Sequence, residues 1–249
     1  VNSSSGDVGD LATDYKGVYV FMQKIKRGDE AVDVAKMELG DNTEPNVTGG
    51  YVLKNDKGLV DFYTSSYSLN ITFVYPDVED VTTPQWNYIK NYLNSYETAL
   101  KGSNFADPVN GYAKYIDVDA FIDNYIISEW SENVDALVMS TYMHKDRGGK
   151  LKMGPVWDYN FALGNGKGGT DGYQWYPLEH QRFYQYKWWA RLRQDPEFML
   201  KYGDRWFKLR KGVYSTENVH ADIDETAAFL DEAKTRNFQR WKILGSSGW

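Results

Sequence analysis

The chain has 249 residues, a formal net charge of −7 and no cysteine, which excludes a disulfide scaffold, thiolate chemistry and cysteine-based zinc sites. The acidic balance opposes nucleic acid as a partner, because phosphate-backbone binding needs a local excess of Lys and Arg. With 42% hydrophobic and 25% charged residues it reads as a globular chain, and its 16% aromatic content serves either an aromatic-rich core or a wet surface that grips flat sugar rings.

Residues 1–14, VNSSSGDVGDLATD, are small and polar without periodicity and read as a flexible lead-in lacking the basic and apolar parts of a signal peptide. Lys16 to Lys26, KGVYVFMQKIK, is β-branched and aromatic and predicts a strand ending before Gly28. Short strands follow at 47–55, 59–64 and 69–75, so residues 15–80 form a small antiparallel sheet. The period then lengthens. Thr83 and Pro84 open a helix carrying Trp86, Ile89, Leu93, Tyr96 and Leu100 to a stop at Gly102. Asp117 opens a second, with Phe121, Ile122, Tyr125 and Ile126 on one face; Asp195 and Pro196 open a third that stops at Gly212. A last helix runs from Ser215 or Thr216 toward Trp241. The fold class is α+β, a sheet followed by a mainly helical lobe over 81–249, interrupted by one hairpin over 139–156. No stretch approaches the ~20 apolar residues of a membrane span.

The hairpin pairs MSTYMHK with KLKMGPV around the turn DRGG. A symmetric turn sets Asp135 across from Asn160 and Leu137 across from Asp158, bringing two aspartates to one open end. Two such carboxylates suit phosphoryl transfer, one with Mg²⁺ and phosphate oxygens, the other accepting the attacking hydroxyl's proton. The plainer reading, that Asp158 caps a turn and Asp135 is a solvated loop residue, stays open on spacing alone. The stretch 164–172 is glycine-rich but lacks the G-x-x-x-x-G-K-[ST] spacing and reads as a flexible loop. His144, His180 and His220 have no metal spacing and read as structural. The aromatic run from Tyr173 to Trp189 reads as a helix-packing seam before a sugar platform. Asp117, Asp119 and Asp123 lack the glycine and terminal glutamate of a calcium loop and read as cap and surface charge.

The segment ENVDA followed by STYMHKDRGGKLKMGPVWDYNFALGN resembles the signature region of the spore coat protein H (CotH) family, whose members have an atypical protein-kinase-like fold. YKGVYVFMQKIKRG is similar to that family's YxGxYxxxExI strand, and FYQYKWWARLRQDPEFMLKYGDRWFKLRKG with NFQRW is similar to its C-terminal helices. The resemblance spans Lys16 to Trp249 and implies an extracellular, cell-surface or spore-coat protein that uses ATP and Mg²⁺ to phosphorylate a protein acceptor. It implies Asp135 of the N-x-D motif as catalytic base, Asp158 of the W-D-[FY]-[DN] motif and Asn160 as metal residues, and Asn133, Ser140 and Gln23 on the cofactor. Asn160, Ser140 and Gln23 stand where active members generally carry Asp, Asn and Glu, each change removing a charge or a strong ligand. In the family a substantial amino-terminal region precedes the strand that Lys16 to Lys26 resembles, which implies a truncated or divergent chain here. Two alternatives accompany the kinase reading. One is a non-catalytic module of a spore coat or polysaccharide-degrading complex, with a polysaccharide or coat protein as partner. The other is a glycoside hydrolase using Asp135 and Asp158 as its carboxylate pair.

Overall fold

The structure is a computed structural model that describes residues 15–133, 135–136, 138–163 and 187–245. The lead-in 1–14, the glycine-rich stretch, His180 and the aromatic run over 173–186 lie outside the described residues. The described part is mixed α+β, with five antiparallel strands followed by a mainly helical region.

Strands β1 (Tyr51–Asn55), β2 (Phe62–Tyr63) and β3 (Asn70–Tyr75) come first, then helices α1 (Thr83–Lys101) and α2 (Val118–Trp130), then the hairpin β4 (Thr141–Lys145) and β5 (Leu151–Met153). The sheet order is β2-β3-β1-β4-β5, so the hairpin joins the first three strands in one sheet through β1 and β4 rather than standing apart. Helix α1 is capped one residue earlier than Thr83: the Thr82 hydroxyl accepts from Gln85 N and the Gln85 side chain accepts from Thr82 N, a complete capping box. Asp117 caps α2 as its spacing predicts, accepting from Ala120 N at 3.1 Å. Helices α3 (Lys187–Leu192) and α4 (Pro196–Arg210) follow. The last predicted helix divides into α5 (Thr216–Phe229) and α6 (Asp231–Arg240) about Leu230.

Internal contacts divide the chain into two units, Lys24–Arg205 and a smaller one joining Val1–Gln23 to Trp206–Trp249. In the larger, Tyr51 and Leu53 of β1, Ile89, Leu93 and Tyr96 of α1, and Phe121 and Tyr125 of α2 are fully buried. Trp188 and Trp189 close this core at 2% and 3% exposure, Trp188 edge-on to Tyr96 at 4.8 Å and Trp189 stacked on Tyr125 at 5.5 Å. These two members of the aromatic run are seam residues, as expected. Glycine is required at Gly49, where a side chain would drive into the backbone of Asp146 and Arg147 at the hairpin tip.

Two expectations are corrected. Residues 16–26 form no strand; in the smaller unit the backbone of Lys16 and Val18 bonds to the end of α6 and its cap instead, Val18 N donating to Asn237 Oδ1 and Trp241 Nε1 donating to Lys16 C=O, both at 3.2 Å. Val20 and Phe21 consequently stay exposed. The hairpin register is also shifted by one: Lys145 pairs with Leu151 and Met143 with Met153. Gly148 at φ 67° inserts an extra residue after the Asp146–Gly149 turn bond, so symmetric pairing does not hold.

Lys145 is 1% exposed and sits in an aromatic and carbonyl cage. Its Nζ donates to Thr48 C=O at 2.5 Å and lies 4.6 Å from the Tyr92 ring and 5.5 Å from the Tyr88 ring. Burial pulls its pKa down to about 8, against the smaller opposing pull of Asp146 and Glu44. Between pH 8 and 10 the folded chain has therefore released a proton that the unfolded chain still holds, so this group makes stability rise with pH, by at most about 1.4 kcal/mol per unit. Urea unfolding across that range should show the rise in the wild type and its loss in Lys145→Met. Tyr51 and Tyr92, raised by burial, oppose it only where tyrosine ionises in the unfolded chain.

Candidate functional site

The end of α2 organises the site. Its C-terminal turn is followed directly by Asn133, 2% exposed, whose Oδ1 accepts from Asp135 N at 3.2 Å and whose C=O accepts from Ala136 N at 3.1 Å. The Asp135 carbonyl in turn accepts from Met139 N at 3.0 Å. Asn133 thus folds the local turn that presents Asp135, which is half-buried.

The second carboxylate reaches the same place from the hairpin. After β5 the chain passes Trp157 to Asp158, which is exposed and left-handed at φ 63°, then enters a one-turn 3₁₀ segment over Tyr159–Phe161. Two bonds fasten this segment to α2: the Tyr159 hydroxyl lies 3.3 Å from Ser128 Oγ, and Leu163 N donates to Ser131 C=O at 2.6 Å. Asn133 N donates to Ser128 C=O at 3.2 Å, so the turn bearing Asp135 and the Asp158 segment both bond to Ser128. Burial raises the pKa of the Tyr159 phenol, which keeps it a hydroxyl.

Between the two segments lies an open cleft with about 10 Å³ of free volume, lined by Asn124, Ser128, Asn133, Ser140, Trp157 and Tyr159 among others. That is room for about one water, so the cleft takes at most a single small polar group. Asn124 Oδ1 is buried there without a hydrogen-bond partner among the described residues. Ser140, on the opposite wall, is left-handed at φ 50° and donates from Oγ to Asp158 Oδ2 at 3.3 Å. Two left-handed non-glycine residues in contact are a local cost of order 1 kcal/mol or more each, of the kind concentrated at functional sites.

The sequence-predicted residues therefore divide. Asn133 and Ser140 line the cleft; Asp135 and Asp158 do not line it but flank lining residues, Asp135 between Asn133 and Ala136 in the turn and Asp158 between Trp157 and Tyr159, with Asn160 two residues beyond Asp158 in the 3₁₀ turn. Gln23 belongs to the smaller unit and forms no part of the sheet. Leu137 and its expected pairing lie outside the described residues. Sequence reasoning missed Asn124, Ser128 and Tyr142; the first two are four residues apart on a helix otherwise rich in apolar side chains, a spacing that could have marked them. Asp123 is held by Arg205 at 2.6 Å and Asp117 caps α2, as the surface-charge reading expects. His144 is structural too: its Nδ1 donates to Gly154 C=O at 3.1 Å and burial lowers its pKa, keeping it neutral.

The donor chemistry fits a hard divalent cation, since Asp158, Ser140 and Asn160 all offer oxygen. Among the described residues no group of three or more His, Cys, Asp or Glu side chains could by itself hold a metal. One carboxylate with two neutral oxygens leaves the remaining positions to ligand oxygens and water, which is the manner of Mg²⁺ at phosphate-transfer sites. Among the described residues no helix is long and apolar enough to cross a membrane. No curated protein matches the chain. The family model described as CotH kinase protein matches residues 5–249, nearly the whole length, and the chain belongs to that family.

Proposed function

We propose that this chain is a kinase-like phosphotransferase of an extracellular or spore-coat setting, moving the γ-phosphoryl group of ATP to a hydroxyl of a protein acceptor. The observation that carries the reading is that both carboxylate-bearing segments bond to the end of α2, Asn133 N and the Tyr159 hydroxyl each to Ser128, with Asn133 and Ala136 of one and Trp157 and Tyr159 of the other lining one cleft. Family membership implies ATP. Asp158 is the residue to hold Mg²⁺, with Ser140 and Asn160 as neutral oxygen donors beside it. When bound there, Mg²⁺ would supply positive charge to offset that of the phosphate oxygens.

Asp135 faces the acceptor. Its carboxylate takes the hydroxyl proton as the new oxygen–phosphorus bond forms, and ADP leaves as the old one breaks. Asn133 keeps this carboxylate in place through the turn it folds, and we assign it to the cofactor on the family's pattern alone.

Titrating Mg²⁺·ATP into the full chain by calorimetry should give saturable binding that weakens at least about tenfold in Asp158→Ala. Equal binding by both proteins would overturn the reading. The neutral residues at Ser140, Asn160 and Gln23 favour a second reading, a non-catalytic binding module. Retention of the chain in a polysaccharide gel, unaffected by nucleotide, is its signature. The described part of the aromatic run lends it no surface, Trp188 and Trp189 being buried.

A further inference from the structure

Asp56 lies in the turn after β1, 84 positions before Ser140, and three donors fix its carboxylate. Lys54 Nζ reaches Oδ2 at 3.3 Å, while Lys57 N at 2.8 Å and Ser140 N at 3.4 Å donate to Oδ1. The Asp56 carbonyl accepts from Asn70 Nδ2, which holds the turn to β3. Next to it, Asn55 Nδ2 donates to Val138 C=O at 3.2 Å. The turn after β1 thus grips residues 138 and 140, the stretch that leads from Asp135 into β4.

That grip matters because Ser140 is left-handed, a conformation a serine keeps only when its surroundings impose it. The same residue donates from Oγ to Asp158 Oδ2 at 3.3 Å and so gives that carboxylate its one anchor among the described residues, restraining where it points. The charge of Asp56 is offset by Lys54 at 3.3 Å, so its field on a neighbouring cation is small.

We propose that Asp56 is a positioning residue for Asp158, acting through the Ser140 amide; this rests on the reading of Asp158 as the metal-holding carboxylate. An acceptor at this position preserves the site, charge or no charge, and an acceptor of the wrong reach does not.

The test is Mn²⁺ affinity of the full chain, read from free Mn²⁺ by electron paramagnetic resonance, with the melting temperature followed in parallel. Asp158→Asn should lose most of the binding. Asp56→Ala and Asp56→Glu should weaken it about fivefold to tenfold, the lower end of what outer-sphere partners of metal ligands contribute, while Asp56→Asn stays within about twofold. Wild-type affinity in Asp158→Asn overturns the metal reading itself. Loss in Asp158→Asn with wild-type affinity in Asp56→Ala and Asp56→Glu overturns the positioning role alone. Asp56→Asn falling while Asp56→Glu holds also overturns it, in favour of charge. A purely structural role lowers the melting temperature and leaves the folded protein's affinity unchanged. Should Asp56→Ala not fold, the Glu and Asn variants decide between these outcomes.

Discussion

Asp135→Asn should bind Mg²⁺·ATP within about threefold of the wild type and release ADP at least about 100-fold more slowly, the usual range for loss of a general base being 10²–10⁴. The split follows from how the residue is held. Its backbone N–H donates to Asn133 Oδ1 and its carbonyl accepts from Met139 N, so neither bond that shapes the turn uses the side chain. An amide in place of the carboxylate leaves the cleft's walls as they are and removes only the proton acceptor. Calorimetry and ADP release on the same preparation check it. Equal loss of binding and turnover would place Asp135 among the ligand-holding groups instead.

The largest expected effect on stability belongs to a residue far from chemistry. Glu97 of α1 is fully buried, and its carboxylate takes three donors: Ser66 N at 2.8 Å, Tyr67 N at 3.1 Å and Trp188 Nε1 at 2.8 Å. It fastens the loop between β2 and β3, and α3, onto α1. Glu97→Leu leaves three donors without acceptors, each costing about 1–3 kcal/mol when buried, so about 4 kcal/mol or more is lost. For a chain of this size that is roughly 8–16 °C in melting temperature. Glu97→Gln keeps one acceptor oxygen and should cost about half as much. Thermal unfolding followed by tryptophan fluorescence checks both. A shift under about 2 °C in Glu97→Leu would mean that water replaces the lost acceptor.

The elements legible in the sequence are those whose determinants are local. Helix α2 is announced by Asp117 and by Phe121, Ile122, Tyr125 and Ile126, a cap and a face that need no knowledge of the rest of the chain. The stretch KGVYVFMQKIK has strand-forming side chains too, but strand formation needs a partner, and here the backbone of Lys16 and Val18 bonds to the end of α6 and its cap, more than two hundred residues away. Gly148 shifted the hairpin by one residue because its left-handed conformation lengthens the turn, a choice that the letters DRGG leave open.

The candidate site was legible for the same reason in part. Asp135 and Asp158 lie near a helix end and a hairpin end that local pattern identifies. Asp56 was not legible, because it meets Ser140 only through the pairing of β1 with β4, a contact that no local motif encodes. Tyr159 sits inside the W-D-Y-N motif, yet its contact with Ser128 depends on where α2 lies. Gln23 shows the reverse: motif similarity singled it out, while it belongs to the smaller unit.

The most direct measurement is paramagnetic broadening of assigned backbone amide resonances by substoichiometric Mn²⁺ in the full chain. Broadening centred on Ser140, Trp157 and Tyr159, and abolished in Asp158→Asn, is the predicted result. Broadening centred on the acidic start of α2 at Asp117, Asp119 and Asp123, or spread without a centre, would contradict a metal site built on Asp158.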